Sequence, residues 1–442
     1  DKFDFDGKKE SMYALRPAFD TVADMIGKGK KVPESLLEIF AQNPEYSAKL
    51  DSLINAKDKV PFKIFDKKNA EKLFGKNLNI SASQLEKFNL CRFSYFCNYG
   101  LNVRERQKAE INPMQYGTIV HYILERFFGE YTKEEYLSLE EDKFQKIVCA
   151  YLSEYAVTYF GEEQLESNSF TYRLKTILDN VMYLMKHIME ELSQSEFFVA
   201  DCELKIGEDI PSYTIALPDG HKIAVCGSVD RVDIMQRADI TYLRIIDYKT
   251  GTKQFKLSDI LYGINLQMLL YLHSIETSGG DKYGDIVPAG ILYMPATVPY
   301  ISSDSLKSID KLPDELNKKL KMNGLLLKDT EIIHGMDKTD AATYIPVKIK
   351  AGEPVSSTSL ATLAEFGKIF KKVDMLIAEM GKNIYNGNIE AKPLKGGHDS
   401  CEYCPYDSVC AYRQSNPITC FSVDNKTVIE EITNEINGKE EE

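Results

Sequence analysis

The spacing of apolar positions changes several times along the chain, and each change marks a different kind of element. Over residues 1–77 apolar side chains recur at helical intervals, through Leu36, Leu37, Ile39 and Phe40 and again through Leu50, Leu53 and Ile54. This predicts a helical leader with no visible chemistry. Ser83 with Glu86 three residues on has the form of a capping box, predicting a helix that delivers Cys91 at its end. Tyr95, Phe96 and Tyr99 follow as core aromatics. Pro113 opens another helix, whose apolar stripe is Tyr116, Ile119, Val120, Ile123, Leu124 and Phe127, with Gly117, His121 and Glu125 stacked on a second face. Residues 131–195 continue as helix, their aromatics reading as core. The period then drops to two. Strands are predicted at 197–206, 213–217, 222–225, 224–232 and 243–246, with a turn at 236–239, then a helix over 258–274 and a strand over 288–293. Residues 296–357 lose periodicity and read as an insertion on the core. An amphipathic helix resumes over 358–385, and the Glu-rich stretch 421–442 reads as a loosely ordered acidic tail.

Composition narrows the function. The chain has 442 residues, 43% of them hydrophobic, enough for two or three domains. Its net charge of −13 argues against a protein that coats nucleic acid by bulk charge. Phosphate contacts would be confined to local strips, such as the seven lysines between 57 and 76 or Arg104, Arg106 and Lys108, each of which also reads as a solvated face. The chain has no apolar run of about 18 residues, and its first residues lack the apolar stretch of a signal peptide, so a cytoplasmic protein without a membrane partner is expected. The absence of an initiator Met suggests a piece of something longer. No GxxxxGK[ST] loop occurs, so ATP hydrolysis by this chain is not expected.

The candidate chemistry lies between Gly227 and Gly251. Strand alternation puts Asp247 and Lys249 on one face and turns Tyr248 away, while Asp230 ends the neighbouring strand. Two hard oxygen ligands beside an ammonium suit a divalent cation such as Mg²⁺ and an activated water. The alternative is a set of charges on a hairpin surface. A second constellation is Cys401-x-x-Cys404 with Cys410 after a short loop, three thiols able to wrap one metal centre. Zinc with His398 or another Cys as fourth ligand is one reading, an iron–sulfur cluster the other. Cys97, Cys149, Cys202, Cys226 and Cys420 sit singly and read as buried fillers or tolerated exposed thiols.

Four motifs in order, Gly117-x-x-x-His121, Gly227-x-x-Asp230, Asp247-Tyr248-Lys249 and Gln267-x-x-x-Tyr271, resemble those of the PD-(D/E)xK nucleases of the RecB type. The likeness is greatest to the nuclease region of the AddB/RexB subunit of bacterial helicase-nucleases, and it covers about residues 73–412. It implies an α/β, restriction-endonuclease-like core with a mixed central sheet flanked by helices, over residues 78–420, preceded by a leader (1–77) from a helicase-like portion. It implies a DNA exonuclease of double-strand-break repair and recombination that uses Mg²⁺ or Mn²⁺ and cuts the strand with the 5′ end. Its partners would be a single-stranded DNA end and an AddA/RexA-type helicase-nuclease subunit. His121, Asp230, Asp247 and the Tyr248 carbonyl would hold the metal, Lys249 would orient or activate water, and Gln267 and Tyr271 would position DNA. Glu125 is either near the site or in a salt bridge, and Asp201 and Glu203 could approach it. The resemblance also assigns Cys91, Cys401, Cys404 and Cys410 to a [4Fe–4S] staple, with Arg92 where the family usually has Pro. Rival readings are an iron–sulfur DNA-binding module without nuclease activity and a free-standing iron–sulfur nuclease of the CRISPR-adaptation type.

Overall fold

The computed structural model describes residues 14–27, 30–56, 63–104, 113–161, 167–251, 254–299, 312–356, 358–397, 399–410, 412 and 417–440. They form two units: the smaller draws on 1–73, 90–104 and 383–420, the larger on 74–89, 105–382 and 421–442. This differs from the linear division into leader, nuclease domain and tail, because segments far apart in the chain fold together.

The larger unit is built on a six-stranded sheet whose strands follow chain order: β1 (Phe198–Ile206), β2 (Gly227–Arg237), β3 (Ile240–Lys249), β4 (Asp285–Pro295), β5 (Asn323–Leu327) and β6 (Leu360–Ala361). The first three form an antiparallel meander. β3 and β4 run parallel, which requires a crossover, and the helix Gln267–Ser278 lies in it. β5 is antiparallel to β4 and parallel to β6, so the sheet is mixed, as the α/β expectation required. Leu243, Ile245 and Ile246 of β3 and Ile291, Leu292 and Tyr293 of β4 are all buried, giving the continuous apolar run of strands covered on both faces.

Four helices matter for the site: α1 (Pro113–Glu130), α2 (Asn168–Ser193), α3 (Gln267–Ser278) and α4 (Leu363–Tyr385). The stripe Ile119, Val120, Ile123, Leu124 and Phe127 of α1 is fully buried, as its spacing predicted. A small second sheet pairs Lys222–Val225 with Asn77–Ile80 in parallel and with Thr214–Ala216 in antiparallel fashion.

Four expectations are corrected. The helix expected over 258–274 divides into a 3-10 turn, Leu257–Tyr262, and α3, because Gly263 (φ 69°) and Asn265 (φ 54°) take left-handed conformations that an α-helix cannot hold. Residues 296–357 are not an insertion throughout, since β5 lies within them, followed by the helix Thr330–Met336, whose first N–H groups donate to the Asp329 side chain. The tail is not loose: Asn425–Glu440 is a helix that buries Val428 and Ile432. The capping box of Ala82–Leu90 is formed by Ser81 and Gln84, not Ser83 and Glu86. The Ser81 N–H donates to Gln84 Oε1 at 2.9 Å, and the Gln84 N–H to Ser81 Oγ at 3.4 Å. Glu86 instead accepts from the Leu266 N–H at 2.8 Å, one residue ahead of α3.

In the smaller unit Leu15–Gly27, Glu34–Gln42 and Ser47–Ala56 are helical, as the leader's spacing predicted, and Phe19, Phe40, Tyr46 and Leu50 make their core. Among the described residues no helix is long and apolar enough to cross a membrane.

Candidate active site

The geometry follows from strand register. Cys202 pairs with Arg231, and Arg231 with Ile246, so one step along each strand sets Glu203, Asp230 and Asp247 in a row across β1, β2 and β3. Asp247 in turn pairs with Tyr293 of β4. Three carboxylates on adjacent strand positions repel one another and are retained only where something compensates.

His121, from α1, provides part of that compensation. Its Nδ1 lies 2.8 Å from Glu203 Oε1 and its Nε2 3.7 Å from Asp230 Oδ2. Glu203 also accepts from Ser228 Oγ at 2.9 Å. Its backbone sits at φ 51°, in the left-handed region that non-glycine residues rarely occupy, a strain that the hydrogen bonds to its carboxylate offset. Asp230 accepts the Tyr248 N–H at 2.9 Å, and Lys249 Nζ lies 2.6 Å from Asp247 Oδ2. Asp247 is almost wholly buried, whereas His121, Glu203 and Lys249 are part-exposed and open to a substrate.

Protonation follows from this arrangement. Burial first, and then the neighbouring Asp247 carboxylate, push the Asp230 carboxyl up to about 7. At His121 burial disfavours the charged ring, but the Glu203 hydrogen bond and the surrounding carboxylates outweigh it and hold the imidazole above its ordinary value. Glu203, opposed by burial, is held below the usual carboxylate range by His121 and Ser228.

The ligand atoms of His121, Glu203 and Asp230 all lie within 4.8 Å of one another. An imidazole with hard carboxylate oxygens in surplus fits a divalent cation of the Mg²⁺ or Mn²⁺ class. The expected set His121, Asp230, Asp247 and Lys249 is thus brought together, with the Tyr248 backbone beside it. Glu203, weighed from sequence only as a neighbour, stands inside the cluster. Asp201 does not join it, being held by Lys282 Nζ at 2.5 Å and the Tyr283 hydroxyl at 2.6 Å. Glu125 is exposed, its carboxyl raised by partial burial and then by Glu203. Gln267 is the first residue of α3 and half-buried. Tyr271, one turn on, is buried, and its ring fills the space a side chain at Gly227 would need. That contact accounts for the glycine at the head of β2. Burial pushes the Tyr271 phenol up to about 12.

A separate thiol centre lies in the smaller unit. Cys91, Cys97, Phe93 and Tyr406 form a buried cluster against which Cys404, Cys410, Phe96 and Ala391 pack. The 401–410 loop is tied down at its middle, where the Tyr406 hydroxyl donates to the Val103 carbonyl at 2.7 Å and the Cys410 N–H to the Tyr406 carbonyl at 2.9 Å. The Cys404 N–H closes the first turn onto the Cys401 carbonyl at 3.2 Å. Burial, followed by the charges of Cys91, Cys404 and Cys401, raises the Cys410 thiol. Cys97, taken from sequence as a solitary filler, instead lies among these thiols. The zinc alternative named His398, which lies outside the described residues, as do Arg106 and Lys108.

A family model described as the PD-(D/E)XK nuclease superfamily matches residues 79–411. Among curated proteins, the B-type subunit of the ATP-dependent helicase/deoxyribonuclease of Ruminiclostridium cellulolyticum is 33% identical over 427 residues, covering 92% of this chain and 37% of the relative. The same-named protein of Clostridium kluyveri is 35% identical over 397 residues, 86% of this chain and 34% of the relative. That of a Thermoanaerobacter species is 34% identical over 354 residues, 77% of this chain and 30% of the relative. The chain spans about a third of the length of these curated relatives.

Proposed function

The chain belongs to the PD-(D/E)XK nuclease superfamily, and from that premise we propose that it is the nuclease portion of the B-type subunit of an ATP-dependent helicase/deoxyribonuclease, hydrolysing DNA phosphodiesters with a divalent cation. The observation that carries this reading is the row of Glu203, Asp230 and Asp247 at adjacent strand positions, met by His121 from α1 and with Lys249 beside it. Likeness to proteins named for helicase and deoxyribonuclease activities supports the assembly. The substrate would be a single-stranded DNA end, attacked exonucleolytically on the strand with the 5′ end, in the cytoplasm. The partner would be a helicase-nuclease subunit of the AddA/RexA type, acting in double-strand-break repair. ATP hydrolysis would belong to the partner, since this chain has no phosphate-binding loop.

His121, Asp230, Asp247 and the Tyr248 carbonyl would hold Mg²⁺ or Mn²⁺. When bound, the cation supplies Lewis-acid charge stabilisation and an acidified water. The chain's own groups do the rest. Glu203 holds the His121 ring by its Nδ1 and so aims Nε2 at the site. The Tyr248 N–H fixes one Asp230 oxygen. Lys249, anchored on Asp247, offers its ammonium to the attacking water or to the phosphate. Gln267 heads the neighbouring helix as a DNA-positioning group. Tyr271 would act on the strand's position through Gly227, since its ring is buried there.

In the smaller unit, Cys91, Cys401, Cys404 and Cys410 would hold a [4Fe–4S] cluster, a structural crosslink over a loop of about 300 residues and worth several kcal/mol in a chain-entropy model. Cys91, with Cys404 and Cys410 packed against it in one buried cluster and Cys401 beside it, is the all-thiol donor set such a centre takes.

The test is cleavage of end-labelled single-stranded DNA in Mg²⁺ by wild type and Asp247→Ala. The variant is expected to lose cleavage by orders of magnitude with an unchanged circular dichroism spectrum. Full cleavage by the variant, or by wild type in excess EDTA, would overturn the reading.

A further inference from the structure

Five thiols, not four, gather in the smaller unit. Cys97 is buried in the same cluster as Cys91, with Cys404 and Cys410 packed against it. It lies on a single π-helical turn, Phe96–Gly100, between the short helix Arg92–Tyr95 that Cys91 caps and the point where Val103 receives the Tyr406 hydroxyl. Both ends of its segment are therefore fixed to the thiol centre. The Cys97 carbonyl is held as well, accepting the Val103 N–H at 3.0 Å. Single π-turns inside helices shift the following side chains around the axis and recur at functional sites.

We propose that Cys97 is a reserve ligand of the iron–sulfur centre, able to take over the iron atom vacated when Cys410 or Cys404 is lost. The proposal rests on the cluster reading given above. The exchange needs no redox partner: the departing thiolate takes up a proton, the Cys97 thiol gives one up, and one iron–sulfur bond replaces another. A packed core would be served as well by Ala or Val at this position, whereas a thiol buried in the cluster that Cys91, Cys404 and Cys410 share is the chemistry a substitute ligand needs.

The experiment measures iron per chain and the visible and electron paramagnetic resonance spectra of anaerobically purified protein. Wild type and Cys97→Ser are expected to carry about four irons, as a cubane held by the four primary cysteines does. Cys410→Ser and Cys404→Ser should retain iron within about twofold of wild type, with a shifted spectrum. The doubles Cys97→Ser/Cys410→Ser and Cys97→Ser/Cys404→Ser should retain at least about fivefold less than wild type. Loss of iron from both single variants, with wild type loaded, would overturn the reserve ligand and leave the cluster intact as a reading. An iron-free wild type would overturn the cluster and the reserve ligand together. Should both single variants fail to fold, wild-type chain stripped of iron by chelator and treated with ferricyanide decides the matter. Two thiols there yield one disulfide, two protons and two electrons, the electrons passing to ferricyanide. Cys97 recovered in a disulfide with Cys404 or Cys410 supports the proposal, and Cys97 recovered as a free thiol overturns it.

Discussion

The hairpin β2–β3 carries two polar clusters on its opposite sides, and they solve the problem of buried charge differently. On one side Arg231, Asp233, Arg244 and Glu191 of α2 are all fully buried. Arg231 forks onto Asp233 at 2.6 Å through two nitrogens and reaches Glu191 at 3.1 Å, while Arg244 meets Glu191 at 2.6 Å and Asp233 at 2.9 Å. Two cations face two anions, and Asp233 is held below the usual carboxylate range by both guanidinium groups, against the cost of its burial. The Tyr248 hydroxyl accepts from Arg231 on the same side. On the other side the three carboxylates of Glu203, Asp230 and Asp247 meet the imidazole of His121 and the ammonium of Lys249, and burial drives Asp230 to take up a proton near neutral pH. The difference teaches that burial of charge alone does not mark a functional site. Balance marks the side that holds the strands together; an excess of carboxylate marks the side where a cation is proposed.

The largest effect that would break this comparison is catalytic. Asp247→Ala should abolish cleavage yet leave the metal-free protein as stable as wild type or more so, because it removes a carboxylate that repels Asp230. Thermal denaturation in EDTA checks it, and a large loss of stability would mean that Asp247 is part of the scaffold. On the balanced side the outcome should be reversed. Arg244→Ala strands Glu191 and Asp233 without one of their two cations and should cost about 3–5 kcal/mol in urea denaturation. Nuclease activity in the fraction that remains folded should be largely kept.

How much of this was legible in the sequence differs between the two sides. Asp230, Asp247 and Lys249 could be read because a β-branched, alternating stretch ends in carboxylates whose faces follow from strand period. Arg231, Asp233 and Arg244 occupy the same two strands and carry no sequence signal of their role, since their partner Glu191 lies on a helix and only tertiary packing joins them. Glu203 reads from sequence as a strand residue that could approach the site, on a par with Asp201; its place in the row depends on register, and its aim on a left-handed backbone that no residue preference announces. Strand β5 was missed because its short run, Gly324 to Leu327, sits among polar residues that broke the periodicity. The last helix was missed because its many glutamates masked Val428, Ile432 and Ile436, which share one face at helical spacing. Cys97 had no sequence signal at all, since its neighbours Cys404 and Cys410 arrive from far along the chain.

A smaller effect concerns pH. His273 of α3 lies between the Asp374 and Glu276 carboxylates, stacked on Phe370 at 4.7 Å. Burial opposes its charge, but the two carboxylates win and raise it to about 9. A histidine raised in the folded state adds stability that is complete below its unfolded value, about 6.5, and that is lost as pH rises through about 9. The contribution at low pH is bounded by about 3 kcal/mol. Urea denaturation between pH 6 and 10 should show this decline in wild type and a flatter profile in His273→Gln. Identical profiles would remove His273 as the cause. Smaller still is the stabilisation by ligand: Mg²⁺ at about a hundred times its dissociation constant should add about 2.7 kcal/mol to wild type. Asp230→Asn should gain almost none.

Calorimetric titration of metal-free protein with Mn²⁺ tests whether a divalent cation completes the carboxylate-rich side of the hairpin. Wild type should bind at a site that Asp230→Asn and Asp247→Ala both lose and Arg244→Ala keeps. Binding should tighten as pH rises through about 7 and release a proton below it, because the cation displaces the proton held by Asp230. Mn²⁺ binding that survives in both aspartate variants, or cleavage of DNA by wild type that binds no Mn²⁺ at this site, would rule out a cation held by these carboxylates.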